Sequence, residues 1–121
     1  MEEILKRYFE AVNSDSVDDL MDLWNEDGEF FMPFRTPMRG KDEIRKFYES
    51  LPDVYPEHND DPIDVIFAEN KAAVKILVKN KTTDGKVITF KAFSWMTFEN
   101  GRIKSIEAIF DSAKVLKDLK G

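Results

Sequence analysis

The stretch from Lys71 to Asp111 constrains the fold more than any other part of this chain, because it predicts three long β-strands joined by two tight turns. Asp84-Gly85 and Asn100-Gly101 are dipeptides typical of two-residue hairpin turns, in which both central residues take a positive φ. Strands joined by such turns lie antiparallel and side by side. The sequence therefore predicts an antiparallel meander in its C-terminal half.

The middle strand of this meander carries apolar residues on both of its faces. One set of alternating positions is Ile88, Phe90, Ala92, Ser94, Met96 and Phe98, and the other set includes Phe93 and Trp95. A face in contact with water should be polar, so Phe93 and Trp95 indicate that the second face is covered by a partner. We expect the first set to line an internal core or pocket.

Length and composition exclude several classes of protein. The 121 residues, 42% hydrophobic and 35% charged, are typical of a single globular domain spanning 1–121. There is no cysteine, and the only histidine is His58, so a cysteine or multi-histidine metal site is not expected. Nothing resembles a phosphate loop or a flavin site, so we predict that no cofactor is needed.

The charge pattern bears on partners and location. The formal net charge is -6, and the basic residues are dispersed among acids, which argues against nucleic acid as a partner. No apolar run has the roughly 20 residues that span a bilayer, and Met1-Glu2-Glu3 does not resemble a signal peptide. We therefore expect a cytoplasmic protein that does not associate with membranes.

The N-terminal half predicts helices that precede the sheet, which is an α+β arrangement. Helices are predicted over residues 2–13, from Ser16 to about Trp24, and from Gly40 to Pro52. A short strand is predicted from Glu29 to Phe34, a loop from Pro52 to Pro62, and a further strand from Ile63 to Ala68. Residues 113–119 fit either a short terminal helix or a frayed tail.

Four segments carry a resemblance to a known family. They are 6–13 (KRYFEAVN), 23–28 (LWNEDG), 39–44 (RGKDEI) and 100–103 (NGRI). Together with the order of elements, they resemble the ketosteroid isomerase and SnoaL-like branch of the nuclear transport factor 2 superfamily. The resemblance implies a curved antiparallel sheet wrapped around three helices into a cone with an internal apolar pocket, and a homodimer formed through the outer sheet face. It is specific for the fold and weak for activity, because the superfamily hosts several chemistries and proteins without catalysis.

The isomerase pattern of that family is only partly present. Its helix-one tyrosine falls on Tyr8, its catalytic base falls on Met32, and its protonated acid falls on Ser94. Enolate chemistry needs a base and hydrogen-bond donors. With no base at Met32, the familial isomerase mechanism is not expected.

Two other residues are candidates for acid or base chemistry, each with a structural alternative. His58 has a side chain that titrates near neutral pH, in a predicted loop that could close the pocket, but a lone histidine in a charged loop is more often a surface residue. Asp111 corresponds to a region in which SnoaL-like cyclases carry an acid, but it is also placed to cap a terminal helix. Tyr8 is equally consistent with a ligand contact and with a core tyrosine.

Eight residues are predicted to bind a ligand if the interior is open. They are Phe30, Met32, Phe34, Phe90, Met96, Ile106, Ala108 and Phe110. The same residues would otherwise fill a solid core. Small side chains among them, with Ala92 and Ser94 nearby, favour a cavity.

Three functions fit the sequence. The first is binding of a small, largely apolar or partly polar organic molecule, with proton-transfer chemistry of the isomerase, dehydratase or cyclase type involving Tyr8, Ser94, His58 or Asp111. The second is ligand binding without catalysis. The third is an association module with a filled core that acts through Phe93 and Trp95. The sequence does not decide whether the protein is an enzyme.

Overall fold

A computed structural model describes all residues from Met1 to Gly121 and contains four helices and six strands. The helices are α1 (Glu2–Asn13), α2 (Val17–Leu23), α3 (Lys41–Val54) and α4 (Ser112–Lys120). The strands are β1 (Trp24–Phe31), β2 (Met38–Arg39), β3 (Glu57–Ala68), β4 (Lys71–Lys81), β5 (Val87–Glu99) and β6 (Arg102–Phe110). The terminal segment is therefore a helix, and the side chain of Asp111 accepts a hydrogen bond from the backbone N–H of Lys114 at its start.

The strands form one open, curled sheet in the order β2-β1-β6-β5-β4-β3. The predicted meander is confirmed, since β4, β5 and β6 pair antiparallel in sequence. The pairing of β1 with β6 is parallel, which the sequence did not predict. The α+β cone expected from the sequence is the fold of this chain.

The two predicted turns differ in the structure. Asn100 and Gly101 both have positive φ, at 54° and 75°, and they join β5 directly to β6 as expected. Residues 82–86 separate β4 from β5, and of the other dipeptide only Gly85 has positive φ. The prediction of a two-residue turn at Asp84-Gly85 was wrong, because Thr82 bonds through its backbone and its side chain to Lys86 and so closes a five-residue loop.

Two predictions about β1 were also wrong. Strand β1 begins at Trp24 instead of Glu29 and ends at Phe31 instead of Phe34, whereas helix α2 ends at Leu23, close to its predicted end. The early start of β1 comes with a β-bulge between Trp24 and Glu29, where its parallel register against β6 shifts. Gly28 lies in that bulge, and a Cβ there would stand 2.6 Å from the Trp24 ring, so only glycine fits.

The segment from Pro52 to Pro62 is not the loop that was predicted. Helix α3 continues through Pro52 to Val54, and β3 begins at Glu57. The many Pro, Asp and Glu residues of this segment are tolerated because β3 is an edge strand of the sheet. This correction matters for function, because it places His58 and Asp60 on a sheet strand.

The core lies between the helices and the concave face of the sheet. Trp24 is fully buried and stacks on Phe30, with ring centroids 5.8 Å apart. On β5, Ile88, Met96 and Phe98 are buried, whereas Phe93 and Trp95 are each 51% exposed. The predicted assignment of the two faces of β5 is confirmed.

Candidate ligand cavity

A cavity of about 370 Å³ lies between the concave face of the sheet and helices α1, α3 and α4. Of its 23 lining residues, 17 are hydrophobic, so a ligand inside it would lose most of its contact with water. The volume falls in the range of small-molecule sites. The interior is therefore not filled, which removes the main support for the association module with a solid core.

Six of the eight residues predicted to bind a ligand line the cavity. They are Phe30, Met32, Phe34, Phe90, Ala108 and Phe110. Phe34 lies in the turn after β1 with φ at 56° and is 88% exposed, so it stands at the mouth. Met96 and Ile106 do not line the cavity, because they face each other across β5 and β6 and are buried in the core.

The polar group at the centre of the cavity wall is a pair of tyrosines. Tyr8 on α1 and Tyr48 on α3 are buried, and their hydroxyl oxygens are 2.8 Å apart in a hydrogen bond. Burial is the largest cause that raises the pKa of both phenols well above the ordinary value. The hydrogen bond between them partly opposes this for Tyr8 and adds to it for Tyr48. Both tyrosines therefore stay protonated. One hydroxyl donates to the other, and the second O–H is left as a hydrogen-bond donor to a ligand.

Tyr48 was not among the residues predicted to act. The sequence did indicate that Tyr48 faces inward, because it belongs to the apolar face of α3, which consists of Ile44, Phe47, Tyr48 and Leu51. A helical face does not reveal which of its members meets a residue from another helix. The indole nitrogen of Trp24 is buried without a hydrogen-bond partner of ordinary geometry, yet it still lowers the pKa of Tyr48 to a small extent.

Asp60 on β3 is an acidic residue that sequence reasoning missed. Its side chain lines the cavity, and no side chain donates a hydrogen bond or a salt bridge to its carboxylate. Burial raises its pKa, and the charge of His58 partly opposes this. The charge of Asp60 in turn raises the pKa of Tyr8 and Tyr48, so the three groups form one electrostatic cluster.

The backbone of Asp60 is fixed by the end of helix α1. Its N–H donates to Asn13 Oδ1 at 2.8 Å, and the Asn13 amide donates to its carbonyl at 2.9 Å. Asn13 thus bonds to β3 as a neighbouring strand would. The alternation of His58, Asp60 and Pro62 is the pattern that could have indicated an inward-facing strand here.

His58 lies in the cavity wall instead of at its mouth. Its side chain is only 3% exposed, and its Nε2 lies 2.7 Å from a carboxylate oxygen of Asp15, in the connection between α1 and α2. Its other ring nitrogen, Nδ1, is buried with no hydrogen-bond partner. Neither ring nitrogen is accessible to a ligand in this arrangement.

Ser94 and Asp111 occupy different surroundings. Ser94 on β5 lines the cavity and is partly buried. Asp111 lies outside the cavity and is exposed, with its carboxylate at the start of α4. The structure therefore brings together Tyr8, Ser94 and His58 but not Asp111.

The remaining features of the mouth are a cation and the last helix. The guanidinium of Arg35 lies over the Phe47 ring, 5.0 Å from its centroid. Val115 of α4 is buried against the cavity.

No three His, Asp or Glu side chains cluster as metal ligands, and no helix is long and apolar enough to cross a membrane.

Comparison with known proteins identifies the family. The sequence pattern of the SnoaL-like domain matches residues 5–106, which is most of the chain. The protein belongs to the SnoaL-like domain family. That assignment agrees with the cone-shaped fold and with the apolar cavity inside it. No curated protein matches the SnoaL-like chain in sequence.

Solved structures of the same fold cover nearly all of this SnoaL-like chain. A nuclear transport factor 2-like protein of unknown function from Burkholderia pseudomallei has a TM-score of 0.91 at 20% identity, over 99% of this chain and 97% of its own. TerC, crystallised with polyporic acid, has a TM-score of 0.90 at 16% identity, over 98% and 97%. IdmH from Streptomyces antibioticus, a candidate polyketide cyclase, has a TM-score of 0.85 at 17% identity, over 99% and 98%. These similarities establish the fold.

Proposed function

We propose that the protein binds a small, largely apolar organic molecule in the cavity and catalyses a proton transfer on it, of the isomerase, dehydratase or cyclase type. The observation that carries this proposal is the carboxylate of Asp60, a partly buried residue that lines the largely apolar cavity and forms no hydrogen bond or salt bridge with another side chain. A carboxyl group whose pKa is raised by burial becomes a stronger base when it is ionised. Asp60 takes the place of the base that is missing at Met32.

The tyrosine pair supplies the complementary function. A base that removes a proton from carbon next to a carbonyl creates negative charge on the carbonyl oxygen. Tyr8 and Tyr48 remain protonated, and because one hydroxyl donates to the other, one O–H is left to donate to that oxygen. Asp60 and both tyrosines line the same cavity, so base and donor face one region. The proton held by Asp60 then returns to another carbon of the ligand or to a departing hydroxyl group.

The cavity restricts the class of ligand. Rings of Phe30, Phe47, Phe90 and Phe110 line it, and the hydroxyl of Ser94 adds one more polar group. A flat or cyclic molecule with one or two oxygen functions would satisfy these groups. IdmH and other neighbours of this fold are candidate polyketide cyclases, which supports a ligand of this kind.

Proton exchange tests the proposal directly. The protein is incubated in D₂O with a panel of cyclic ketones and aromatic polyketide-like carbonyl compounds, and deuterium incorporation at carbon is followed by NMR. We expect exchange above the rate without protein for a subset of compounds, and a loss of about 10²-fold or more with Asp60→Asn. Asp61→Asn is the matched control, because Asp61 is the adjacent acid on the outer face and is exposed. Full exchange with Asp60→Asn would contradict the proposed role.

The alternative is ligand binding without catalysis. In that case the same panel binds, as shown by quenching of tryptophan fluorescence or by ligand-detected NMR, but no compound exchanges its protons. The 370 Å³ cavity supports both functions, and the unpaired Asp60 favours catalysis.

We also propose that two copies associate through the outer sheet face. Two cross-strand rows carry its exposed apolar residues. One row is Ile66, Ala73, Trp95 and Glu107, and the other is Asp64, Lys75, Phe93 and Ile109. Phe93, Trp95, Ile66 and Ile109 are each at least half exposed in the single chain. Apolar groups with charges of both signs on one patch suit a two-fold symmetric contact.

A further inference from the structure

His58 carries a feature that the proposed reaction does not use. Its Nε2 is bonded to Asp15, and its Nδ1 is buried with no partner. A buried polar atom without a hydrogen bond is costly and needs an explanation. Because neither nitrogen reaches a ligand, any role of His58 must act through another group.

The positions of three residues suggest which group this is. His58 and Asp60 are two residues apart on β3, so both project to the same face of the sheet at a separation of about 7 Å along the strand. Asp15 contacts His58 from the connection between α1 and α2 and is exposed. Asp15 thus lies at the surface, and His58 and Asp60 both line the cavity.

We propose that Asp15 and His58 act as a positioning pair that holds Asp60 in its ionised form inside the apolar cavity. This inference rests on the proposed function, in which Asp60 must be ionised to accept a proton. An ionised Asp15 accepts a hydrogen bond from Nε2–H, which fixes the ring and stabilises a positive charge on it. That charge attracts the carboxylate of Asp60 through a medium of low polarity, where attraction is stronger than in water.

The other groups around this pair do not supply such a charge. Tyr8 from α1 and Tyr48 from α3 are neutral, and Asn80 lies opposite His58 on β4. Arg35 lines the cavity mouth over Phe47, and Tyr55 lines the cavity as a neutral group. His58 is therefore the side chain of the wall next to Asp60 that can supply such a charge, and a charge on His58 lowers the pKa of Asp60.

The charge of Asp15, the exposed residue of the positioning pair, can be removed without disturbing the backbone. Asp15 has a positive φ of 54°, a conformation that asparagine also adopts readily. Asp15→Asn therefore removes the charge without straining the backbone. His58→Gln removes the cation itself, and circular dichroism establishes whether that variant is folded.

Titration of Asp60 in the ligand-free protein tests the inference. The carboxyl ¹³C resonance of Asp60 is assigned by its absence in Asp60→Asn, and its midpoint is compared among variants. We expect the midpoint to rise by about half a pH unit or more in His58→Gln, and by a smaller amount in Asp15→Asn. Asp27→Asn, which breaks an exposed ion pair with Lys104 on other strands, is the matched control and should leave the midpoint unchanged.

Two results would overturn the inference. One is an Asp60 midpoint that is the same in the wild type and in both variants. The other is a ¹⁵N spectrum in which His58 is neutral over the pH range in which Asp60 titrates, since the ring then carries no charge that could attract the carboxylate. Failure of the proposed function is a separate outcome, because Asp60→Asn would then leave proton exchange unchanged while Asp60 still titrates in dependence on His58.

Discussion

At the scale of single residues, the tyrosine pair gives a prediction about stability. Tyr8→Phe or Tyr48→Phe leaves the other hydroxyl buried without its partner, which costs about 1–3 kcal/mol of unfolding free energy. The double change removes both hydroxyls, so its cost should be less than the sum of the two single costs. Urea unfolding of the four proteins measures this coupling. Tyr55→Phe is the control, because the Tyr55 hydroxyl makes no hydrogen bond, and additive single costs would contradict the prediction.

Asp60 gives a prediction about pH. Because burial raises its pKa in the folded protein above the ordinary value of 3.8, the folded state holds its proton more tightly than the unfolded state. Its contribution to stability is therefore greatest below pH 3.8 and is lost as the pH rises through the raised pKa. A difference of one pKa unit corresponds to about 1.4 kcal/mol.

Thermal or urea unfolding between pH 4 and pH 8 measures this effect as a difference between two proteins. The side chain introduced by Asp60→Asn cannot ionise. The unfolding free energy of this variant should therefore increase relative to that of the wild type as the pH rises. Subtraction removes the opposite contributions of Asp27 and Asp84, whose pKa values are lowered by Lys104 and Thr82 respectively. A constant difference across this range would show that Asp60 is not buried in an apolar environment.

At the scale of elements, the strands with strong alternation were predictable and the edge strand was not. The meander and the two faces of β5 follow from residue periodicity, because each strand there is long and one face is buried. The first half of β3 reads as a loop, since His58, Asp60 and Pro62 replace the apolar residues that normally mark an inward face. The polar residues that hid this strand are the ones that give the cavity its chemistry.

The junction of α1 with β3 gives a prediction at this scale. Asn13→Ala removes two hydrogen bonds to the backbone of Asp60 and leaves its N–H and C=O without those partners. We expect a loss of about 2 kcal/mol in unfolding free energy, together with faster amide exchange at Asp60, measured by NMR. Asn59→Ala is the matched control, because Asn59 is exposed on the same strand and its side chain makes no hydrogen bond. Equal stability and exchange in the two variants would contradict the prediction.

At the scale of the whole molecule, the cavity depends on contacts between elements that are distant in sequence. Tyr8, Tyr48 and Asp60 come from α1, α3 and β3, and no periodicity within one element indicates that they meet. Family resemblance correctly indicated the cone, and the helix-one tyrosine, Tyr8, lies in the cavity wall. It did not indicate Asp60, because the base of the isomerase pattern falls on Met32 on another strand.

The outer sheet face gives the last prediction, which concerns assembly. Phe93 and Trp95 lie on adjacent cross-strand rows, so placing lysine at both positions puts two positive charges in the centre of the proposed contact. We expect the wild type to sediment near twice its 14.1 kDa chain mass, and Phe93→Lys with Trp95→Lys to sediment as a folded monomer. Both side chains are half exposed in the single chain, so the fold should tolerate the change. Val54→Lys with Leu116→Lys is the matched control, because it adds the same charge at exposed apolar residues on helices and should leave the dimer intact. A dimer that survives the double change on β5 would place the contact on another surface, and a monomeric wild type would leave Phe93 and Trp95 available to a different partner.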